Sequence, residues 1–208
     1  MRGKFITVEG TEGVGKSTNI SCIEQWLSSK GIEFITSREP GGTELGEEIR
    51  GLLLGHRSTP VDDMAELLLV FSARAQHLSE KILPALNKGI WVLCDRFTDA
   101  TFAYQGSGRG LDTGLINTLA EMVQKQLQPD LTLMLDIDPE IGLARVDGRG
   151  ERDRFESQEI AFFERVRQGY RKQIARQPAR FRVIDASQTQ KQVAQDVRMA
   201  LDEFAARC

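Results

Sequence analysis

The sequence predicts an α/β fold: a doubly wound, five-stranded parallel sheet flanked by helices. Three observations predict it. Five short apolar segments recur along the 208 residues, separated by longer stretches with helical periodicity. Several of these segments are apolar throughout, as strands covered on both faces are. The first runs directly into the glycine-rich turn Gly10-Thr11-Glu12-Gly13-Val14-Gly15-Lys16-Ser17 and then into a helix.

In chain order, strands are expected at 5–9, 33–37, 90–95, 131–136 and 182–185, and helices at 17–30, 44–54, 62–83, 112–127, 157–177 and 189–206. The first helix carries Ile20, Ile23 and Leu27 on one face and stops at Gly31. Pro60 precedes the third helix and Asp112 suits an N-cap of the fourth. Pro84 is expected to end or kink the long middle helix. No internal repeat, low-complexity tract or linker divides the chain, so 1–208 reads as one domain. From 145 to 182 there are eleven Arg and Lys against six Asp and Glu. The first part of that stretch, about 145–156, is glycine-containing and lacks apolar periodicity, so it reads as a mobile polar lid.

Composition narrows the class. A net charge of −3 gives no electrostatic case for nucleic acid or a membrane surface. The chain opens straight into its first strand with no signal-like apolar region, and no run is long enough to span a bilayer. Cys22, Cys94 and Cys208 form neither a zinc pattern nor a redox pair, and read as reduced thiols of a cytoplasmic protein.

The turn from Gly10 to Ser17 fits G-x-x-x-x-G-K-[ST], the P-loop. Its glycines let successive backbone N–H groups converge on a polyphosphate, and the helix N-terminus at Ser17 and Thr18 adds its dipole. Lys16 supplies charge for the outer phosphates, and the Ser17 hydroxyl can ligate Mg²⁺. The cofactor-binding set is Gly10, Thr11, Glu12, Gly13, Val14, Gly15, Lys16, Ser17 and Thr18, and the motif alone says only that a nucleoside triphosphate binds there.

Nucleotide binding alone does not say where the γ-phosphate goes. In open α/β sheets ligands bind beyond the carboxyl ends of strands, where Glu9, Arg38, Asp95, Arg96 and Asp136 fall. Arg38 and Arg96 suggest a second phosphate site, with Arg74 and Arg50 nearby on helices. Asp95 is the preferred Mg²⁺-side aspartate, and Asp136 competes but also suits a helix cap. Glu9 is open to a metal or acceptor contact, or to a strand-end carboxylate bonded to backbone. A second anion site with a lid favours a kinase over an NTPase switch, whose attacking water must be held.

With these residues in place, the chain resembles bacterial thymidylate kinases over nearly its whole length. The resemblance lies in the segments 7–18, 38–43 (Arg-Glu-Pro-Gly-Gly-Thr), 95–106 (Asp-Arg-Phe-Thr-Asp-Ala-Thr-Phe-Ala-Tyr-Gln-Gly) and 129–136. It implies transfer of the ATP γ-phosphoryl group to dTMP with Mg²⁺, and a homodimer. It places the dTMP phosphate near Arg38 and Arg96, and Arg74 on the thymine ring. Thr101 and Gln105 would read the base edge, Tyr104 would lie by the deoxyribose, and Glu39, Pro40 and Arg50 would line the same pocket. The catalytic set is Lys16, Arg96, Arg149, Glu9 and Asp95, and the metal set Ser17, Asp95 and Glu9. The P-loop holds no arginine, whereas the lid holds Arg149, Arg152 and Arg154, which resembles the lid-arginine class of the family. Many relatives carry the thymine-stacking aromatic four residues before the helix arginine. Here Val70 stands there, so Phe71 is expected to stack, with an ordinary core role as its competitor. Another nucleoside monophosphate kinase, a P-loop switch and a nucleic-acid-dependent ATPase are the rival readings.

Overall fold

The computed structural model describes residues 2–147 and 153–207. Five parallel strands, β1 (Phe5–Glu9), β2 (Phe34–Arg38), β3 (Trp91–Asp95), β4 (Leu131–Asp136) and β5 (Phe181–Asp185), form one sheet in the order β2-β3-β1-β4-β5. Central β1 is buried at every residue because both faces are covered. Ile6 and Val8 point to the layer of α1 (Lys16–Ser29) and α9 (Gln190–Ala205), where Ile23, Leu27, Val197 and Leu201 pack. Phe5 points the other way, into Leu78, Ile82, Leu86 and Phe97. This alternation follows from the two-residue period of a strand.

The strands thus stand within one residue of expectation: β2 is displaced by one so that Arg38 ends it rather than following it, β3 starts one residue later and β5 one residue earlier. Register pairs Arg38 with Asp95 and Val8 with Asp95, so the carboxyl ends of β1, β2 and β3 lie side by side. Beyond them run α2 (Glu44–Leu54) and α3 (Asp63–His77), whose Asp62 cap accepts from Met64 N and Ala65 N. α6 (Thr113–Gln124) is capped by Asp112 as foreseen.

Three stretches differ from expectation. The middle helix does not end at Pro84: it widens to a π-helical turn over Leu78–Ile82 and resumes as α4 (Leu83–Asn87). The change of register sits just before the proline, whose missing N–H removes a backbone donor. A short helix, α5 (Thr98–Thr101), runs into a π-helical segment, Phe102–Gly108, that was not foreseen. A further helix, α7 (Pro139–Asp147), follows β4. α8 (Ile160–Arg176) packs on the Phe102–Gly108 segment, bringing Phe162, Phe163, Val166 and Tyr170 against Ala103 and Tyr104.

Candidate active site

The loop after β1 turns at Gly10, Gly13 and Gly15, all at positive φ. At Gly13 a side chain is excluded outright, because an added Cβ would lie 1.9 Å from the Gly142 carbonyl oxygen of α7. Gly15 at φ 85° leads into α1 and aims the free N–H groups of its first turn at the loop. Lys16 Nζ donates to the carbonyls of Gly10 at 3.3 Å and Thr11 at 3.1 Å, which keeps the ammonium over the cradle. Burial, and then the nearby Arg96 charge, lower its pKa. Val14 packs into the core and Thr18 lies on the outer side of the helix start.

A crevice opens beside this loop. Glu12, Glu39, Pro40, Arg50, Arg74, Arg96, Thr101, Tyr104 and Gln105 line it, and all of them were singled out from the sequence. Arg96 reaches it from a backbone at φ 67°, a conformation rare outside glycine and tolerated where the surroundings enforce it. Its N–H is tied to the Val8 carbonyl, its Nη2 donates to Glu12 Oε1 at 2.8 Å, and its guanidinium lies over the Tyr104 ring. The Tyr104 hydroxyl donates to the same Glu12 carboxylate. Glu12 was expected to serve the ATP loop; its side chain instead reaches into the neighbouring crevice.

Arg74 is only 1 % exposed and still carries a usable donor. Nε donates to Glu39 Oε2 at 2.7 Å, Nη2 donates to Thr101 Oγ1 at 2.9 Å, and Nη1 is buried without a partner among the described residues. The Phe71 and Phe97 rings both face the guanidinium, at 4.9 and 5.0 Å. Glu39 is braced in turn by His77 Nδ1, whose Nε2 pairs with Ser37. Arg50 donates to the Pro40 carbonyl.

Three expectations need correction. Phe71 does not line the crevice: at 3 % exposure it packs with Leu67, Phe102 and Ile116, while Val70 faces the opening. Successive helical residues point about 100° apart, so only one of the pair can face the crevice. Glu9 keeps the humbler of its two readings. Its Oε1 accepts from Phe97 N–H at 2.7 Å and its Oε2 from the Tyr170 hydroxyl at 2.8 Å, which occupies both oxygens within the core. Burial, and then the Asp99 charge, push its pKa up to about 8. Arg38 is 53 % exposed and forks onto Glu47. It lines a recess shared with Ser17 and Asp95 rather than the crevice that holds Arg96.

That recess suits Mg²⁺. Asp95 Oδ1 is buried with no hydrogen-bond partner among the described residues, and Ser17 lines the same recess. Among the described residues no group of three or more His, Cys, Asp or Glu side chains could form a protein cage. One or two protein oxygens completed by phosphates and water is the ordinary manner of Mg²⁺. Asp136, the rival aspartate, is committed to Arg167 through two hydrogen bonds.

Sequence reasoning missed part of the lining. Phe97 and Ala100 precede the expected Thr101, Tyr104 and Gln105 at helical spacing, a signal that this segment is a helix facing the crevice. Leu53, Leu54, Asp153 and Phe155 complete the wall. Arg154 donates to the Leu53 carbonyl and to Glu66, docking the lid stem there. Arg149 and Arg152 lie outside the described residues. On the far side of the loop, Gly13, Val14, Gly15, Thr18, Arg145, Ala186 and Gln188 border another recess.

The family model described as thymidylate kinase matches residues 8–197. The chain belongs to the thymidylate kinase family. It is 58 % identical over 204 residues to the thymidylate kinase of Teredinibacter turnerae, covering 98 % of this chain and 100 % of that one. Identity to the Chromohalobacter salexigens thymidylate kinase is 56 % over 203 residues, 97 % of this chain and 96 % of the relative. The crystal structure of the Ehrlichia chaffeensis thymidylate kinase superposes with a TM-score of 0.77 at 33 % identity, over 97 % of this chain and 99 % of that one. Membership carries the fold of P-loop kinases: the five parallel strands and flanking helices agree with the sequence expectation and with this neighbour. Among the described residues, no helix is long and apolar enough to cross a membrane.

Proposed function

We propose that this chain transfers the γ-phosphoryl group of ATP to dTMP, giving dTDP and ADP, as one domain in the cytoplasm and as a homodimer. The observation that carries the reading is the Arg96–Glu12 contact, which makes the wall of the nucleotide crevice continuous with the phosphate loop. ATP lies with its phosphates over residues 10–18 and its nucleoside toward the recess bordered by Arg145, Ala186 and Gln188. Thymidylate lies in the crevice, with its base toward Arg74, Thr101 and Gln105 and its sugar by Tyr104 and Glu12.

Phosphoryl transfer requires positioning and charge stabilisation more than covalent help. The acceptor phosphate oxygen attacks directly. Arg96 holds that phosphate at the mouth of the crevice, and Arg38 can swing from Glu47 toward it across the Asp95 strand end. Lys16 and the loop amides hold the donor. Ser17 and Asp95 would hold Mg²⁺, directly or through water, and the ion would supply positive charge against the phosphates. A lid arginine, Arg149, supports charge developing on the transferred group. Arg74 Nη1 donates to a base carbonyl, which gives its buried, unpartnered position a use.

The test is an ADP-release assay with ATP, Mg²⁺ and separate acceptors. The expected order is dTMP fastest, then dUMP, with dCMP, dAMP and no acceptor far slower. A thymine methyl is worth only about 1–3 kcal/mol, so dUMP is used in part. ADP release without acceptor that equals the rate with dTMP would overturn the reading.

A further inference from the structure

Glu66 stands in the first turn of α3 and is fully buried, at 0 % exposure. Donors surround its carboxylate. Oε1 accepts from Gln105 Nε2 at 2.8 Å and from Arg109 Nε at 3.3 Å. Oε2 accepts from Arg154 Nη2 at 2.6 Å and from Arg109 Nη2 at 3.3 Å. Gln105 belongs to the segment that lines the crevice, Arg109 follows that segment, and Arg154 belongs to the lid stem. One buried carboxylate therefore joins α3, the base-facing helix and the lid stem.

A glutamine amide has a donor end and an acceptor end that exchange places by half a turn about the last bond. A glutamine alone in a pocket would offer either end to a ligand. A carboxylate facing two guanidinium groups accepts hydrogen bonds and donates none, so it admits only the Nε2 end of Gln105. We propose that Glu66 is a positioning residue that sets the hydrogen-bond polarity of the crevice, by holding Gln105 Nε2 and leaving Gln105 Oε1 as the group offered to the substrate base. The inference rests on the reading of Gln105 as a contact of the base edge. With Arg74 Nη1 as a neighbouring donor, the edge offered is one donor and one acceptor. That pair matches a ring carbonyl beside a ring N–H, as in thymine and uracil. With Arg74 Nη1 on the carbonyl and Gln105 Oε1 on the ring N–H, it opposes cytosine, which in the same pose turns an amino group toward Arg74 Nη1 and a bare ring nitrogen toward Gln105 Oε1. Discrimination of this kind is strong because the wrong base leaves buried polar groups unpaired.

The test compares Glu66→Gln, Glu66→Asp and Gln105→Ala, each assayed with ATP and either dTMP or dCMP and each with a thermal unfolding scan. In Glu66→Gln the new amide can donate as well as accept, so Gln105 is free to turn. The ratio of kcat/KM for dTMP over dCMP is expected to fall about tenfold or more, mainly through a raised KM for dTMP. Glu66→Asp keeps an acceptor-only group and is expected to keep the ratio, even with slower turnover. Gln105→Ala is expected to lose the same discrimination. If Gln105→Ala lowers the ratio and Glu66→Gln does not, the role of Glu66 is overturned while Gln105 keeps its place. If Gln105→Ala leaves the ratio unchanged, Gln105 does not read the base and both fall. Should Glu66→Gln not fold, the unaltered protein decides. With ¹⁵N-glutamine labelling, the Gln105 side-chain amide protons are expected to exchange slowly and hold their shift when dTMP is added. Transfer of their hydrogen bond to the nucleotide would overturn the proposal.

Discussion

Arg96 Nη2 lies 2.8 Å from Glu12 Oε1, joining the turn after β3 to the phosphate loop after β1. Tyr104 grips the same carboxylate through both oxygens. The glycine-rich loop and the crevice are thereby set relative to one another by protein contacts. Preset geometry of this kind is most of what phosphoryl transfer asks of a protein.

Among the described residues, Lys16 bonds only to carbonyls of its own loop. Lys16→Ala is therefore expected to leave the unfolding midpoint nearly unchanged while lowering kcat on the order of 10²–10³-fold, as loss of a preorganised charge does. Steady-state kinetics beside a thermal melt check both halves. A variant with intact kcat would place the donor phosphates elsewhere.

Arg74→Ala leaves the buried Glu39 carboxylate with His77 as its remaining side-chain partner. A destabilisation of about 3–5 kcal/mol is expected, together with a raised KM for dTMP. Arg74→Lys restores charge without the fork, so it should recover stability more than base recognition. Urea unfolding and dTMP titration separate the two. An unchanged KM in the lysine variant would remove Arg74 from the base.

Phe71 and Val70 part company in the same manner. Phe71→Ala empties a packed core position and is expected to cost about 3–5 kcal/mol. Val70→Ala faces the crevice and should change dTMP affinity at a smaller cost in stability. The opposite pattern, with Phe71→Ala stable but poor in dTMP binding, would restore Phe71 as the stacking ring.

Glu9 gives a pH signature. Its folded pKa, raised by burial to about 8, exceeds the ordinary value of 4.5. The folded form thus binds the proton more tightly than the unfolded chain. Its contribution is most favourable below 4.5 and is lost as pH rises toward about 8, beyond which it no longer changes. Glu9→Gln keeps an acceptor for Phe97 N–H and removes the titration. Relative to the unaltered protein, it should gain stability between pH 5 and 9, as measured by urea unfolding across roughly that range. A parallel pH dependence in the two proteins would exclude Glu9 as the source.

The lid arginines should separate kinetically. Arg154→Ala cuts the ties to Leu53 and Glu66, so it is expected to raise KM for dTMP with a smaller loss of kcat. Arg149→Ala is expected to lower kcat on the order of 10³-fold and to affect dTMP binding less. Intact kcat with weak dTMP binding in Arg149→Ala would move that residue to the acceptor phosphate.

By itself the sequence determined the strand–loop–helix at Gly10–Ser17, the five strands and the residue types at their carboxyl ends. Those features are local: glycines at forced backbone angles, apolar runs covered on both faces and caps at helix starts are written within a few neighbours. The tertiary structure alone decided which groups meet. It turned Val70 rather than Phe71 to the crevice, closed both oxygens of Glu9 onto Phe97 and Tyr170, sent Arg38 to Glu47, and drew Glu12 away from the donor side. It also gathered Gln105, Arg109 and Arg154 around Glu66, from distant points in the chain. Periodicity reports that a face is covered but not by what, and a charged side chain takes whichever partner packing places within hydrogen-bond reach.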